Sequence, residues 1–242
     1  MNIQEVKPYN KEKPKKTQVR EMFNNISHKY DVTNSVLSFG IHYYWRKKCI
    51  EKLKQFHPKY ILDLATGTGD LAIALAQLPA EKIIAADYAE KMLGIAHKKI
   101  VAKKLNNIIE IKQEDGENLS FKDAAFDAIT ISFGIRNFED YQKGLGEMYR
   151  VLKENGVLLI LEFTLPKNKL MRGLYNFYFK YILPIIAWIL TGDKKAYDYL
   201  PDSVASFPQY ENFCNIIISK GFRNCDYFPL TGGIATIYLA RK

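Results

Sequence analysis

The sequence predicts a doubly wound α/β fold with a mostly parallel sheet of seven strands that closes with an antiparallel C-terminal hairpin. Apolar runs of strand length alternate with helical patterns between residues 60 and 163, as in consecutive βαβ units. A turn containing Gly67 and Gly69 joins the first run to its helix. Near the C-terminus, two strands are separated only by Thr231–Gly233, and so short a connection requires an antiparallel pair.

The composition is that of one globular domain preceded by a basic segment. The chain has 242 residues, of which 48% are hydrophobic and 25% are charged, enough for one large core. The net charge is +9, and much of it lies near the N-terminus. We expect residues 1–18 to form a flexible, solvated arm and residues 19–242 to form a single domain.

The cysteines indicate a reducing compartment. Cys49, Cys214 and Cys225 are scattered and form no C-x-x-C pair, which argues against a disulfide framework or a zinc site. No apolar stretch at the N-terminus resembles a secretory signal. We therefore expect a cytoplasmic location and no metal site.

The first part of the domain, residues 19–57, is expected to cap the rest. Thr17 is placed to cap a first helix, and a later helix is expected from about Tyr44 to Phe56. The stretch Tyr30–Trp45 mixes aromatic and short polar side chains without a sustained period. It is either a packed structural cover or a surface that meets a substrate. The second interpretation gives three candidate contacts: Asp31, Asn34 and His42.

The turn after the first strand predicts a nucleoside-bearing cofactor. Tyr60–Leu64 has the apolar character of a buried parallel strand, and Gly67 and Gly69 let the backbone bend and expose its N–H groups to a ligand. Asp87 ends the second strand about 20 residues further on, where a carboxylate suits ribose hydroxyls. The segment Gly67–Ala72 also fits the loose dinucleotide pattern, so NAD stays open on this pattern alone.

Two acidic residues favour S-adenosylmethionine over NAD. Asp63 precedes the turn and Asp70 opens the helix after it, which places negative charge where a pyrophosphate would be repelled. S-adenosylmethionine carries a sulfonium and an ammonium group and no phosphate, so it fits this charge better. We therefore expect S-adenosylmethionine in a site that includes Asp63, Gly67 and Gly69.

The remaining strands follow in the order of an α/β sheet. Ile108–Ile111 and Phe126–Ser132 are the third and fourth strands, and Val157–Phe163 is so apolar that it must be buried on both faces. A helix from Pro208 ends at Gly221, before the closing hairpin. That hairpin breaks the symmetry of a two-half dinucleotide fold and favours the methyltransferase version of the sheet.

Residues 167–207 are expected to form an apolar cover inserted before the closing helix. The segment Lys169–Leu190 is nearly long enough to span a bilayer, but Arg172, Asn176 and Lys180 recur on it at helical spacing. It is either a buried substrate cover or an interfacial helix on a membrane, and a lipid substrate would allow both.

Four blocks of sequence resemble the ubiquinone/menaquinone biosynthesis C-methyltransferases, S-adenosylmethionine-dependent enzymes that methylate a quinone ring. The blocks are Tyr30–Trp45, Leu62–Asp70, Ile129–Asn137 and Arg150–Thr164. The similarity runs from about residue 19 to the C-terminus, and the blocks are specific when taken together. They imply a class I methyltransferase fold. The turn departs from the general methyltransferase pattern, because residues 65 and 66 are Ala and Thr where glycine is usual or frequent.

The resemblance also implies the site. Its cofactor contacts fall on five residues: Thr68, Asp87, Asp115, Gly116 and Ser132. The implied reaction is methyl transfer to a ring carbon of a demethylated polyprenyl quinol, and we favour demethylmenaquinol as the substrate. Arg136 would stabilise the ionised quinol, while His42 or Asp31 would accept its proton. Tyr197 and Tyr199 would contact the ring, or else pack beneath the cover.

Other functions stay open at this point. They are C-methylation of a benzoquinol in ubiquinone biosynthesis, methylation of another small lipid, and nucleic-acid binding through the basic arm. The chain carries no RNA-binding motif with stacking aromatics and no base-flipping signature after the fourth strand, so we expect no nucleic-acid partner. The apolar cover and the basic surface predict peripheral contact with the anionic inner face of the cytoplasmic membrane. The oligomeric state stays open, and a homo-oligomer is one of the alternatives.

Overall fold

The computed structural model of the chain describes residues 6–9, 12–191 and 194–242, the side chains of residue 187 and residues 189–197 excepted. Seven strands form one sheet within this part of the chain: β1 Tyr60–Leu64, β2 Lys82–Asp87, β3 Ile109–Gln113, β4 Phe126–Ser132, β5 Leu152–Phe163, β6 Asn224–Leu230 and β7 Ala235–Arg241. Their order across the sheet is β3-β2-β1-β4-β5-β7-β6. The strands β1 to β5 are parallel, whereas β7 is antiparallel to both β5 and β6. The predicted sheet and its closing hairpin are therefore confirmed.

The helices connect the strands and cover both faces and one edge of the sheet. In the described residues they are α1 Lys15–Ile26, α2 Tyr30–Leu37, α3 Ile41–Lys54, α4 Asp70–Leu75, α5 Glu90–Ala102, α6 Tyr141–Val151, α7 Lys169–Phe177, α8 Leu183–Thr191, α9 Lys194–Ser206 and α10 Glu211–Ser219. A π-helical turn, Tyr178–Ile182, joins α7 to α8. The helices α3, α4 and α5 pack on one face of the sheet, and α6 and α10 pack on the other.

The central strands are apolar because both of their faces are covered. Leu159 and Leu161 of β5 join the cluster beneath α3 and α4, while Leu158 and Ile160 join the cluster beneath α6 and α10. All four side chains are at most 1% exposed. Burial of each such side chain contributes about 1.5–3 kcal/mol. The strand β5 begins earlier than predicted, at Leu152, because its first residues pair beside β4 at Phe126.

In the N-terminal region, the structure corrects the prediction that the flexible arm extends to residue 18. The helix α1 already begins at Lys15, and the side chains of Lys15 and Gln18 are fully buried. The Lys15 ammonium donates a hydrogen bond of 2.8 Å to the carbonyl oxygen of Arg136, which gives this buried cation a partner. Thr17 accordingly lies inside α1 and not at its cap, and the residue at the N-cap is Pro14.

The predicted cover lies across the carboxyl edge of the sheet. Met22 and Ile26 of α1 form a buried cluster with Tyr175, Phe179 and Leu183, which belong to the segment from α7 to α8. The N-terminal helix and the cover thus enclose the same edge from two sides. None of the helices in the described residues combines the length and the apolar character needed to cross a membrane.

Candidate active site

The turn after β1 is joined directly to the carboxylate that ends β2. Gly67 and Gly69 have φ angles of +58° and +81°, in the left-handed region that favours glycine. The Gly67 N–H donates to Asp87 Oδ2 at 2.8 Å, and the Ala89 N–H donates to Asp87 Oδ1 at 2.8 Å. Burial raises the pKa of Asp87 above its usual range. The turn and this carboxylate therefore form one preorganised unit, and the assignment of Asp87 to a ribose stays a prediction.

Asp63 lies behind the turn, where it is 1% exposed. Its carboxylate accepts hydrogen bonds from the hydroxyls of Thr66, at 2.5 Å, and Thr130, at 2.6 Å. Burial raises its pKa to about 6, although these hydrogen bonds act in the opposite direction. Asp63 thus joins the turn to β4 and also contributes negative potential to the cavity in front of it.

Two adjoining cavities, of about 100 Å³ and 370 Å³, meet at the turn. Their common wall includes Tyr30, Ala65, Gly67, Ser132 and Phe133. The smaller cavity extends towards the ends of β2 and β3, and the larger one extends beneath the cover. A ligand that lay along the turn would reach both.

The smaller cavity contains three of the acidic and glycine positions that the resemblance implies: Asp87, Asp115 and Gly116. A Cβ atom at Gly116 would come within 2.4 Å of the Phe138 ring, so this position accepts no side chain without displacing that ring. Lys16 of α1 forms an ion pair with Asp115. The helix α1 therefore closes this cavity as well as packing against the cover.

At the mouth of the turn, the predicted base and a predicted cofactor contact bind each other. Thr68 Oγ1 donates to Asp31 Oδ1 at 2.5 Å, and the Lys99 ammonium donates to Asp31 Oδ2 at 2.7 Å. Lys99 also pairs with Asp70, whose other carboxylate oxygen lies 3.0 Å from Arg46 Nη2. This network of hydrogen bonds and ion pairs fixes α2 against the turn.

His42 lines the larger cavity and is 5% exposed. Its Nδ1 lies 2.5 Å from Ser38 Oγ. Burial, followed by the charge of Arg46, lowers the pKa of His42 to about 4. The imidazole is therefore neutral at ordinary pH, able to accept a proton but only weakly basic.

Arg136 lines the larger cavity and pairs with Glu162, and the two residues are 6% and 1% exposed. Arg136 Nη1 lies 2.7 Å from Glu162 Oε1, and the same nitrogen donates to the carbonyl oxygen of Phe133 at 2.7 Å. Burial raises the pKa of Glu162, while the guanidinium opposes that shift. The pair has no net charge, and its positive member, the Arg136 guanidinium, is held in place by Glu162 within an apolar wall.

Polar groups with unused hydrogen-bonding capacity lie close to this pair. The hydroxyls of Tyr175 and Tyr199 are buried and make no hydrogen bond within the described residues, and the same is true of Asn137 Oδ1. Burial raises the pKa of both tyrosines, so their hydroxyls stay protonated and can donate. All three residues line the larger cavity. Buried polar atoms of this kind need a hydrogen-bond partner, which a water molecule or a ligand in the cavity can supply.

The other substrate candidates divide into two groups. Asn34 lines the larger cavity, beside the hydroxyl of Tyr30. Tyr199 lines it too, whereas the side chain of Tyr197 lies outside the described residues.

Sequence reasoning missed the aromatic floor of the larger cavity and the partner of Arg136. The Phe133 and Phe163 rings lie 4.2 Å apart, and the Trp45 ring lies 5.6 Å from that of Phe133. A buried acid, Glu162, inside the otherwise apolar run of β5 is a signal that could have indicated the ion pair. The floor itself has no local signal, since its rings come from three separate elements.

A model of the ubiE/COQ5 methyltransferase family matches residues 11–242. The chain is 45% identical to "Demethylmenaquinone methyltransferase" of Bacteroides fragilis over 240 residues, which cover 99% of this chain and 98% of the relative. It is 42% identical to "Ubiquinone/menaquinone biosynthesis C-methyltransferase UbiE" of Geotalea uraniireducens, over 93% and 96% of the two chains. Among solved structures, a SAM-dependent methyltransferase from Aquifex aeolicus matches with a TM-score of 0.58 and 20% identity, over 79% and 87% of the two chains. That likeness concerns the fold.

Proposed function

The chain belongs to the ubiE/COQ5 methyltransferase family, and from this premise we propose that it transfers a methyl group from S-adenosylmethionine to a ring carbon of demethylmenaquinol. The main support for the proposal is the buried guanidinium of Arg136, which pairs with Glu162 and lines an apolar cavity together with two tyrosines whose hydroxyls have no partner within the described residues. That cavity adjoins a second one built around Asp87. A benzoquinol is the alternative substrate, because its ring carries the same hydroxyl chemistry.

The smaller cavity and the turn fit S-adenosylmethionine better than a dinucleotide. The Gly67 N–H, which a pyrophosphate would need, already donates to Asp87, and Asp63 adds a second buried carboxylate behind the turn. Asp87 would hold the ribose, and Asp115 and Gly116 would meet the adenine. The remaining contacts are assigned to Ser132, which lines both cavities, to Thr68, which lines the larger one, and to Gly69 in the turn. When bound there, S-adenosylmethionine supplies an electrophilic methyl group.

The larger cavity would hold the quinol ring. Its hydroxyl must lose a proton before the neighbouring ring carbon becomes nucleophilic, and that carbon later loses its own hydrogen as a proton. The Arg136 guanidinium is always protonated, so it acts as a fixed charge that stabilises the quinolate and not as the base. Tyr175 and Tyr199 would donate hydrogen bonds to the quinol oxygens. The apolar floor excludes water and strengthens these interactions.

His42 and Asp31 are the proposed proton acceptors, and their surroundings in the structure differ. His42 faces the cavity as a neutral imidazole whose pKa is lowered to about 4, so it accepts a proton only when the quinol is acidified by Arg136. Asp31 already accepts hydrogen bonds from Thr68 and Lys99. Its main proposed role is therefore to position the turn, while Asn34 and Tyr197 remain proposed ring contacts.

The proposed substrate also explains the charge of the protein. A polyprenyl quinol resides in a bilayer, so an enzyme that acts on it must meet the membrane surface. The net charge of +9 favours contact with anionic lipids. We therefore propose peripheral contact with a membrane, which high salt would weaken.

The direct test supplies demethylated naphthoquinol and benzoquinol with short tails, together with S-adenosylmethionine labelled in its methyl group. We expect label on a ring carbon of the naphthoquinol, identified by mass spectrometry and carbon NMR. The Arg136→Met variant should keep its affinity for S-adenosylhomocysteine and lose turnover. Label on a quinol oxygen, or full turnover by Arg136→Met, would contradict the proposed mechanism.

A further inference from the structure

A continuous row of large apolar side chains faces outward along α7, the π-helical turn and α8. These side chains are 53–75% exposed: Leu170, Leu174, Phe177, Tyr181, Ile185 and Trp188. We call this row the outer stripe. The opposite side of the same segment buries Tyr175, Phe179 and Leu183 against α1. Packing among the described residues thus accounts for the inner side but not for the outer stripe, and an exposed apolar surface of this extent marks an interaction site.

The larger cavity opens at the outer stripe. Leu174 lines the cavity and is also 59% exposed, and Phe39, in the turn between α2 and α3, lines the cavity and is 76% exposed. The Phe39 ring lies 6.3 Å from that of Tyr178, which places this turn beside the cover. The gap between Phe39 and Leu174 is therefore a mouth that joins the ring site to the apolar surface.

The charge around the outer stripe has one sign. Residues 165–191 contain four cationic side chains and no Asp or Glu. Lys167 pairs with Glu211, and the other three are exposed and take part in no ion pair within the described residues: Lys169, Arg172 and Lys180. An exposed apolar stripe flanked by Lys and Arg is the pattern of a helix that lies in the interface of a membrane.

We propose that the outer stripe docks on an anionic bilayer and that the polyprenyl tail of the substrate passes into that bilayer between Phe39 and Leu174. This inference rests on the proposed function, because it assigns a path to the tail of the quinol. The ring reaches Arg136 while the tail stays among lipids, so the enzyme never extracts the whole substrate into water. The segment therefore acts at once as a cover on its inner side and as a membrane contact on its outer side.

Sedimentation with vesicles tests the docking surface. The variant carries Leu170→Glu together with Phe177→Glu, two residues of the stripe that do not line the cavity. The matched control carries Val101→Glu together with Ile218→Glu, two exposed apolar residues on α5 and α10, and so adds the same two negative charges. With vesicles of phosphatidylcholine and phosphatidylglycerol, we expect the wild type and the control to bind, and the double variant to bind about tenfold more weakly or worse. Equal binding by all three proteins would overturn the inference.

Fluorescence gives a second and local readout. The chain has two tryptophans; Trp188 belongs to the stripe, and Trp45 is 3% exposed. Brominated lipids should quench the wild type, and Trp188→Phe should remove most of that quenching. Quenching that survives the substitution would place the bilayer elsewhere on the protein and would overturn the inference.

Activity separates this inference from the proposed function. The double variant should methylate a short-tailed quinol in solution at the wild-type rate, but it should lose turnover of a long-tailed quinol held in vesicles. Failure of the wild type on every quinol, with vesicle binding intact, would refute the proposed function. If the wild type formed a dimer in solution that the double variant abolished, and if it did not bind vesicles, a second copy of the chain would cover the outer stripe. That result would overturn the inference.

Discussion

The two cavities at the carboxyl edge of the sheet are built in opposite ways. Around the smaller one, a carboxylate binds backbone N–H groups, as Asp87 does with Ala89, 2 positions away, and with Gly67 in the turn after the neighbouring strand, 20 positions away. Around the larger one, the polar groups come from distant elements and lie in an aromatic wall; Arg136 and Glu162 belong to different elements, and Tyr199 comes from the cover. The first region depends on backbone geometry, and the second depends on side-chain packing.

This difference indicates which property of the enzyme each region contributes: affinity for the cofactor or the environment of the reaction. A preorganised turn lowers the cost of binding one constant cofactor, since its N–H groups and carboxylates are already in place. A cavity walled by apolar side chains instead supplies a low-dielectric environment in which a single cation has a large effect. Substitutions should therefore affect affinity for the cofactor in the first region, and folding together with turnover in the second.

The largest effect is expected from breaking the buried ion pair. Glu162→Ala leaves the Arg136 guanidinium uncompensated in an apolar wall, which should cost about 3–5 kcal/mol in the free energy of unfolding. Replacing both partners, in Arg136→Met with Glu162→Leu, should recover most of that stability without restoring turnover. Urea denaturation measures the free energy of unfolding of both variants. A loss below about 1 kcal/mol for Glu162→Ala would mean that water reaches the pair.

The counterpart in the cofactor region is Asp87→Ala. It removes a carboxylate that accepts two backbone hydrogen bonds and that would hold the ribose. We expect the dissociation constant for S-adenosylhomocysteine to rise about 10- to 100-fold, which corresponds to about 1.4–2.8 kcal/mol. Isothermal titration calorimetry measures this dissociation constant. Glu162→Ala, which lies in the other region, serves as the control and should leave it unchanged. If Asp87→Ala kept wild-type affinity, the smaller cavity would not be the nucleoside site.

A smaller effect should come from the backbone of the turn. Gly69→Ala places a side chain at a φ of +81°, where its Cβ atom would also lie 3.0 Å from that of Ala96, so we expect a loss of about 1–2 kcal/mol in stability. The matched control is Gly94→Ala in α5, where a Cβ atom meets nothing within 4 Å and a gain of about 0.5–1 kcal/mol is expected. Thermal unfolding compares the two. Equal stabilities would show that the turn can change its conformation.

The smallest net effect concerns pH, because two buried groups that line the larger cavity, His42 and Asp63, have opposite pH dependence. The pKa of His42 falls from 6.5 to about 4 on folding, so its contribution to stability falls as pH decreases through that window. The pKa of Asp63 rises from 3.8 to about 6, so its contribution increases over the same window. The stability of His42→Gln relative to the wild type should therefore rise as pH decreases from 6.5 to 4, as measured by urea denaturation. The exposed His97→Gln serves as the control, and a flat difference for His42→Gln would contradict the buried, neutral imidazole.

Much of the fold and the cofactor region followed from local sequence. The spacing of Gly67, Gly69 and Asp87 predicted a cofactor site at this edge of the sheet, and in the structure the Gly67 N–H donates directly to Asp87. The mutual contact of Asp31 with Thr68 was not predictable, because it brings together residues 37 positions apart through the packing of α2 on the turn. The boundary of the N-terminal arm was wrong for a related reason. Basic residues were read as solvated, but Lys15 finds a buried carbonyl oxygen 121 positions away.

What the sequence by itself determined is the succession of strands and helices along the chain, the antiparallel closure and the turn at the centre of the site. These depend on short-range rules: the period of apolar residues, the conformational freedom of glycine and the length of a connection. Tertiary structure alone decided that Glu162 faces Arg136, that aromatic rings from separate elements form one floor, and that the cover presents apolar side chains on both of its sides. The physical reason is that burial and ion pairing depend on distances in space, which local patterns along the chain do not encode.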